Sequence, residues 1–334
     1  MTLYSREVME RDLVDTFGIP GLDGYLKQVD QLLAQVTHSS NILLQKPLER
    51  LTKNTGKKLR ASLVIAASGE TKMTGNILAA ATSIELLHLA SLIHDDIIDA
   101  ASTRRDVVTI NQKEGSSTAI LVGDYVLAGA MSQAAMISSA AVELLASTFA
   151  EMCAGQASEL SDLGNPNRTL AAYYEVIDQK TAVLMSASCV MGSLVSKQSQ
   201  TNDTVLAKFG KNFGMAYQLI DDVLDFLSSK QLSRKPIGID LKSGVYTMPL
   251  IITLQKFDTP AQKQLLAQPV EIVADELLAN GSITKTLTKI RKHNRAAAQA
   301  VTKQYSHLSN LPEAYFNWAL SSQVDSRYRG TLSS

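Results

Sequence analysis

Two aspartate clusters of identical spacing lie within apolar, helix-patterned stretches of this 334-residue chain. Each has carboxylates at positions i, i+1 and i+4, and the six residues are Asp95, Asp96, Asp99, Asp221, Asp222 and Asp225. Residues i and i+4 project from one face of an α-helix, so each cluster concentrates carboxylate oxygens about one turn apart. A hard divalent cation relieves their repulsion, and Mg²⁺ prefers one or two carboxylates together with water and phosphate oxygens. The pair of clusters therefore predicts several Mg²⁺ ions held with a phosphorylated ligand.

Apolar residues surround both clusters and favour buried helices over a solvent-exposed acidic face. The first cluster lies in the run LLHLASLIHDDIIDA, and the second lies in FGMAYQLIDDVLDF. Hydrophobic residues make up 45% of the chain, and their spacing is helical, whereas strand alternation is nowhere sustained. The sequence therefore predicts an all-α fold with one large helical core, formed as a single domain by residues 1–334.

Periodicity and turn residues predict where several helices begin and end. The expected helices include residues 59–67, 170–195, 203–227 and 282–308. Pro47 is expected near a helix start, because proline lacks the amide hydrogen that an interior position donates. The segment 228–246, which contains Pro236 and two glycines, is expected to form a loop.

Charge and cysteine content exclude several classes of protein. The chain has 32 basic and 32 acidic residues, so no basic excess favours nucleic acid as a partner. Cys153 and Cys189 are the only cysteines, and both lie in apolar segments, so neither a disulfide framework nor a thiolate metal site is expected. The N-terminus MTLYSREVMERDLVD lacks the apolar core of a signal peptide, and no segment convinces as a membrane span. We therefore expect a cytoplasmic protein.

Basic side chains accompany the aspartates. The loop NTGKKLR contains Gly56, Lys57 and Arg60, and lysine and arginine bind phosphate as a point charge and as a bidentate donor, respectively. His88 precedes Asp95 by seven residues, or about two helical turns, which places both on one helix face. A basic loop alone is usually only solvated, and a lone histidine is usually a core residue. These residues gain significance from the aspartates beside them.

Together, the two aspartate motifs and the Gly-Lys-x-x-Arg motif resemble those of trans-type isoprenyl diphosphate synthases. The matching motifs extend over roughly residues 54–249. The resemblance implies a bundle of antiparallel helices around a central cavity, across which the two aspartate motifs face one another. It also implies a Mg²⁺-dependent prenyltransferase that condenses isopentenyl diphosphate with an allylic diphosphate, such as farnesyl or geranyl diphosphate. The steps implied are ionisation, condensation and loss of a proton, and the new double bonds are trans.

The resemblance assigns roles to individual residues. Those that match the isopentenyl diphosphate site are Lys57, Arg60, His88 and Arg105. Those that match positions contacting the allylic diphosphate or the carbocation are Arg104, Lys180, Thr181 and Gln218. Lys235 matches the loop that closes over the diphosphates. Val245 departs from the pattern, since many members have lysine there, but some catalytic subunits of two-component medium- and long-chain synthases share this departure.

Small residues before the first aspartates predict a long product. In the resembled family, the residue five positions before the first aspartate commonly sets the floor of the cavity, and here it is Ala90, followed by Ser91. No bulky aromatic residue blocks the channel at this level, so we expect a medium- or long-chain polyprenyl diphosphate. Leu87 or Leu121 could close the cavity at a deeper level. A short-chain product, farnesyl or geranylgeranyl diphosphate, is the alternative.

Two other classes of protein match the sequence less well than a prenyltransferase does. A terpene cyclase of similar fold would carry asparagine, serine or threonine, and glutamate in its second motif, where this chain has three aspartates. A noncatalytic partner subunit would have lost the aspartate motifs, and this chain keeps both. The resemblance implies a homodimer or a heterodimer with a small regulatory subunit, and the sequence leaves open whether the chain is active alone. A long hydrocarbon product could also bring the enzyme to a membrane surface for product release.

Overall fold

The computed structural model describes residues 17–53, 56–70, 72–104, 107–196, 203–228, 237–301 and 303–332. These residues are almost entirely helical, which confirms the predicted fold class. The chain forms two compact units. The first consists of the described parts of Met1–Phe149, Leu184–Lys208 and Val301–Leu308. The second consists of the described parts of Ala150–Val183, Phe209–Ala300 and Ser309–Ser334.

The N-terminal part of the chain contains a series of helices and one short β-ribbon. The helices are α1 (Leu22–Val36), α2 (Ile42–Thr52), α3 (Leu59–Ser68), α4 (Gly75–Ile98), α5 (Ile110–Glu114) and α6 (Ser116–Ala135). Between α4 and α5, strands β1 (Thr103–Arg104) and β2 (Val107–Val108) pair antiparallel, with Thr103 opposite Val108. Strands of two residues are too short to produce a visible alternation of polar and apolar residues, so the sequence does not predict this ribbon.

The remaining elements are also helical. They are α7 (Ser139–Ser161), α8 (Leu170–Ile177), α9 (Val183–Leu194), α10 (Asp203–Leu227), α11 (Ile239–Ser243), α12 (Met248–Leu254), α13 (Thr259–Leu266), α14 (Val270–Ala279), α15 (Ser282–Ala300), α16 (Leu311–Gln323) and α17 (Ser326–Leu332). A π-helical turn, Asp178–Ala182, separates α8 from α9. A 3₁₀ segment, Lys303–Leu308, lies between α15 and α16.

Helix α4 carries the first aspartate cluster at its C-terminal end. The Thr74 side chain caps its N-terminus by accepting a hydrogen bond from the Ile77 amide at 3.3 Å. Apolar residues cover the circumference of α4, as expected for a helix buried on all sides. By length and composition α4 could cross a membrane, but 78% of its most apolar window is buried inside the protein. We therefore describe α4 as a core helix, and it packs along α6.

Some predicted helix boundaries agree with the structure and others do not. Helix α10 has the predicted bounds 203–227, and α3 extends one residue beyond the predicted 59–67. The predicted helix 170–195 is interrupted by the π-helical turn. The sequence does not reveal this interruption, because one wider turn leaves the apolar pattern on either side nearly unchanged. The predicted helix 282–308 ends at Ala300, before the 3₁₀ segment.

Two further expectations need correction. Pro47 lies in the interior of α2 and not near its start. The helix begins earlier because the Asn41 side chain caps it, accepting a hydrogen bond from the Leu43 amide at 2.9 Å. The segment 228–246 is not wholly a loop, since its described part contains α11.

Candidate active site

The first aspartate cluster has one buried member and two more accessible ones. Asp96 is buried, and its Oδ1 forms an ion pair with Nε of Arg104 at 2.7 Å. Burial raises the pKa of Asp96, and the Arg104 charge acts in the opposite direction. Asp95 is partly exposed and Asp99 is exposed. The i, i+4 pair therefore remains accessible to a ligand, while the middle aspartate is held by Arg104.

The chain after α4 is fastened by hydrogen bonds to two backbone carbonyls. Nδ2 of Asn111 donates to the carbonyl oxygens of Asp96 at 3.1 Å and Ala101 at 3.2 Å. Oγ1 of Thr109 also donates to the Ala101 carbonyl, at 2.6 Å. These bonds tie the segment after α4 to the last turn of that helix. They fix the direction in which α4 presents its aspartates.

The basic loop that contains Gly56 and Lys57 leads directly into α3. Nη1 of Arg60 donates to Nε2 of His88 on α4 at 3.0 Å. One turn earlier on α4, the buried Glu85 accepts a hydrogen bond through Oε1 from the Ala61 amide at 2.9 Å. Glu85 thus caps the N-terminus of α3 from a distant helix. Arg60 and His88 are brought together as the sequence predicts for a diphosphate site.

The neighbouring lysine faces another element. Nζ of Lys58 forms an ion pair with Oδ2 of Asp30 on α1 at 2.9 Å. The backbone of Lys58 is in the left-handed region, with φ at 49°, where it begins α3. Lys57, which precedes it, also lies in the described part of the chain. The ion pair with Asp30 therefore anchors the loop that contains Lys57.

The predicted chain-length residues lie within α4. Ala90 and Ser91 are both buried, and Oγ of Ser91 donates to the His88 carbonyl at 2.8 Å. Leu87 is buried as well, whereas Leu121 on α6 is 61% exposed. Of the two residues suggested to close the cavity at a deeper level, Leu87 therefore belongs to the core and Leu121 does not.

The second cluster repeats the pattern of the first. Asp222 is 1% exposed, and its two oxygens accept hydrogen bonds from the Tyr173 hydroxyl and, at 2.9 Å, from Nε2 of Gln218. Burial raises the pKa of Asp222 to about 7, although both hydrogen bonds act to lower it. Asp221 is exposed and Asp225 is partly exposed. The middle aspartate is again the buried member of its cluster.

Asp225 connects the second cluster to α11. Its carboxylate accepts hydrogen bonds from the amides of Ile239 at 3.2 Å and Asp240 at 3.3 Å. Its carbonyl accepts from the Gly238 amide at 2.9 Å. A carboxylate at the N-terminus of a helix is favourable, because the amide groups there lack intrahelical partners. This contact fixes the segment that carries Asp240 against α10.

The π-helical turn carries two of the predicted site residues. Nζ of Lys180 forms an ion pair with Oε1 of Glu159 on α7. Oγ1 of Thr181 donates to Oε1 of Gln218 at 2.8 Å. The turn lies close to Gly155 of α7, where a Cβ atom would come within 3.0 Å of the Lys180 amide nitrogen. Single π-turns often occur at functional sites, because they reorient side chains within an otherwise regular helix.

Negative charge gathers around the second cluster in the second unit. Burial is the largest cause that raises the pKa of Asp240 well above its usual range, followed by the carboxylates of Asp225, Asp222, Glu159 and Asp221. Such a group of hard oxygen donors fits Mg²⁺. In the described part of the chain, no group of three or more acidic, histidine or cysteine side chains is arranged to hold a metal ion.

The structure adds residues that sequence reasoning did not select. They are Glu85, Asn111, Glu159, Tyr173 and Asp240. Asp240 lies in DLKSGVYTMPLI, a stretch that matches the resembled family, so that match could have indicated it. The other four make contacts that no local pattern reveals. Arg105 and Lys235, both predicted to bind substrate, lie outside the described residues.

The described residues form an almost entirely helical fold, and each aspartate cluster has an accessible i, i+4 pair of carboxylates. The crystal structure of heptaprenyl diphosphate synthase from Staphylococcus aureus has this fold: its TM-score is 0.80 at 27% identity, over 88% of this chain and 98% of that chain. The polyprenyl synthetase family model matches residues 41–278.

Curated relatives agree with the family match. Heptaprenyl diphosphate synthase component 2 of Bacillus subtilis is 32% identical over 288 residues, or 85% of this chain and 82% of the relative. Nonaprenyl diphosphate synthase of Mycobacterium tuberculosis is 29% identical over 324 residues, or 94% of this chain and 95% of the relative. The chain belongs to the polyprenyl synthetase family. It is a prenyltransferase, as the two aspartate motifs predict.

Proposed function

We propose that the chain extends farnesyl or geranyl diphosphate with isopentenyl units to a medium- or long-chain polyprenyl diphosphate. The observation that supports this most strongly is the same arrangement in both aspartate clusters. In each, the middle aspartate is buried and bonded, while the i and i+4 residues stay partly or fully exposed. A pair of accessible carboxylates one turn apart suits a cation that also binds a substrate diphosphate.

The accessible aspartates are proposed metal ligands, and they are Asp95, Asp99, Asp221 and Asp225. When bound, Mg²⁺ would neutralise charge on the departing diphosphate. Asp96 and Asp222 keep their predicted role as metal ligands. Contacts within the protein orient both carboxylates, since Asp96 pairs with Arg104 and both oxygens of Asp222 accept hydrogen bonds.

Arg60, with His88 and Lys57, is proposed to bind the diphosphate of isopentenyl diphosphate. Nε of Arg60 is buried without a hydrogen-bond partner among the described residues, which supports an anionic ligand there. The Thr181 and Gln218 side chains are already bonded to each other, so their dipoles are oriented before substrate binds. Preoriented dipoles stabilise a developing cation without reorganising during the reaction. Arg104, Lys180, Arg105 and Lys235 keep their predicted roles as proposals.

Product length is inferred from α4. Ala90 and Ser91 are small and buried, and no aromatic side chain occurs at those positions to close a channel beside them. The names of the relatives support a long product, since they describe heptaprenyl and nonaprenyl diphosphate synthases. A short-chain product is the outcome that would contradict this inference.

A second polypeptide is proposed to cover part of α6. Ile120 and Leu121 are 47% and 61% exposed on this helix, and Met136 directly after it is 70% exposed. These large apolar side chains lie towards the two ends of α6, and contact with a partner would remove them from water. The partner is a second copy of the chain or a small regulatory subunit, as the word component in the name of the Bacillus subtilis relative suggests. The mass of the purified chain in solution separates these alternatives.

A cytoplasmic enzyme that touches a membrane only to release product remains our proposal for localisation.

The decisive experiment incubates the purified chain alone with Mg²⁺, labelled isopentenyl diphosphate and farnesyl diphosphate, followed by analysis of product length. We expect a ladder of products that extends well beyond the primer. Arrest after one addition would contradict the long-chain proposal. Activity that appears only when a second subunit is added would show that the partner is required, and the absence of product under both conditions would overturn the proposed function.

A further inference from the structure

A buried arginine lies behind the second aspartate cluster. Arg168 is 3% exposed, and its guanidinium carbon lies 5.6 Å from the centre of the Tyr173 ring. Its Nη1 donates to the Tyr246 carbonyl at 3.0 Å, and its Nε lies 3.4 Å from Oδ2 of Asp162. A cation above a desolvated aromatic ring is held there by the negative face of the ring. The arginine and the tyrosine therefore form one buried unit.

This unit continues through hydrogen bonds to two predicted site residues. The Tyr173 hydroxyl donates to one oxygen of Asp222, and Nε2 of Gln218 donates to the other at 2.9 Å. Because the Gln218 amide nitrogen is engaged with Asp222, its oxygen is available to accept from the Thr181 hydroxyl at 2.8 Å. Both Asp222 oxygens accept hydrogen bonds here, so the carboxyl group dictates that the nitrogen end of the Gln218 amide faces it.

We propose that Tyr173 and Arg168 are positioning residues that hold Asp222, and through it Gln218 and Thr181, in the one orientation that binds Mg²⁺ and the allylic diphosphate. This inference rests on the proposed function and deepens it. Both residues act on the site through Asp222. Tyr173 supplies the donor that keeps both Asp222 oxygens occupied, and the Arg168 charge above the ring makes the phenol a stronger donor.

Removal of the Tyr173 hydroxyl has a defined consequence. One buried Asp222 oxygen then lacks a donor, and the carboxylate can rotate toward other groups. Gln218 loses its fixed partner, so its amide can turn and present nitrogen to Thr181. The ring itself still fills its place in the core. The effect should therefore concern the geometry of the site more than the packing of α8.

The test compares Tyr173→Phe with Tyr174→Phe. Tyr174 is the adjacent residue, its ring meets Tyr173 edge-on at 5.6 Å, and its hydroxyl lies 3.5 Å from Sδ of Met248. The two variants therefore lose the same atom from neighbouring rings. Binding of inorganic diphosphate with Mg²⁺ is measured by calorimetry. We expect Tyr173→Phe to bind ~10–100-fold more weakly than wild type, the range seen when groups that orient metal ligands are removed, and Tyr174→Phe to match wild type.

Steady-state kinetics provide a second readout that loss of folded protein would not change. For Tyr173→Phe, KM for the allylic diphosphate and the Mg²⁺ concentration for half-maximal rate should rise, while KM for isopentenyl diphosphate stays constant. Partial unfolding would lower kcat alone. Arg168→Met should raise KM for the allylic diphosphate and the Mg²⁺ requirement by a smaller factor than Tyr173→Phe does. Arg168→Lys keeps the positive charge, so it should raise both values less than Arg168→Met.

Equal diphosphate binding and equal KM values in the two tyrosine variants would overturn the positioning role. Failure of the wild-type chain to form any product would instead overturn the proposed function. The calorimetric comparison would still decide the role of Tyr173 in that case, because it requires no turnover.

Discussion

Gly123 of α6 lies directly against His94 of α4, the residue that precedes the first aspartate. A Cβ atom on Gly123 would come within 2.7 Å of Cδ2 of His94 and closer still to Nε2. Nε2 of His94 lies 3.4 Å from Oδ1 of Asp124, so the imidazole is confined between two consecutive residues of α6. Glycine at this position thus allows α6 to approach the end of α4 that carries the aspartates.

Gly123→Ala should therefore reduce prenyltransferase activity by displacing His94 and the neighbouring Asp95. A displacement near 1 Å at a catalytic centre can lower the rate ~100-fold. Gly24→Ala in α1 is the matched control, because a Cβ there meets nothing within 4 Å and alanine favours the helix. Product formation and the thermal midpoint are measured for both. Full activity in Gly123→Ala would show that His94 does not position the first cluster.

Glu85 should prove to be a structural support of the basic loop. Glu85→Leu removes the acceptor for the Ala61 amide and should lower the free energy of unfolding by ~1–3 kcal/mol. Glu85→Gln keeps a side-chain oxygen that can accept this bond, so its loss should be smaller. Urea unfolding measures both variants, and KM for isopentenyl diphosphate is followed in parallel. If the two variants lose equal stability, the Ala61 contact is not what Glu85 contributes.

The sequence predicts the features that are encoded locally. The bounds of α10 follow from apolar periodicity, and the helical spacing of the aspartates places the i and i+4 residues on one face. The same geometry turns the i+1 residue about 100° away from its predecessor. The burial of Asp96 and Asp222 could therefore have been anticipated, although their partners could not.

Contacts between distant segments explain what the sequence does not predict. Tyr173 meets Asp222 across 49 residues, and Glu85 meets Ala61 across 24 residues. The residues next to Tyr173 and Glu85 in the sequence do not indicate these partners, because a tyrosine or glutamate in an apolar helix can form many different contacts. The π-helical turn is equally hidden, because a single wider turn hardly changes the apolar pattern of helix 170–195.

His293 should make the folded state less stable in mild acid. Burial lowers the pKa of His293, the charges of Lys292 and Lys289 lower it further, and Asp178 acts in the opposite direction. Nδ1 of His293 lies 3.0 Å from Oδ1 of Asn212. Below about pH 6.5, the unfolded chain takes up a proton that the folded chain does not yet bind, so stability falls as the pH decreases through this range. His293→Gln lacks this site and should lose less stability between about pH 7.5 and about pH 5.5. Urea unfolding at both values tests this, and equal losses in wild type and variant would contradict it.

Adjacent aspartates of the second cluster should respond in opposite ways to the same substitution. Asp221→Asn removes an exposed charge from a crowded group of carboxylates, so stability without Mg²⁺ should stay constant or rise. Its activity should fall ~10²–10³-fold, because a proposed ligand of the Mg²⁺ that would neutralise the diphosphate is lost.

Asp222→Asn should lower the free energy of unfolding by ~1–3 kcal/mol. The reason is that the NH₂ group of the new asparagine can only donate, yet it must face a donor, either the Tyr173 hydroxyl or the Gln218 side-chain nitrogen. Urea unfolding in the presence of a chelator separates the two variants, and product formation is measured with Mg²⁺ restored. Equal stability in both variants would mean that Asp222 is not the buried anchor of the cluster. Full activity in Asp221→Asn would exclude that residue as a metal ligand.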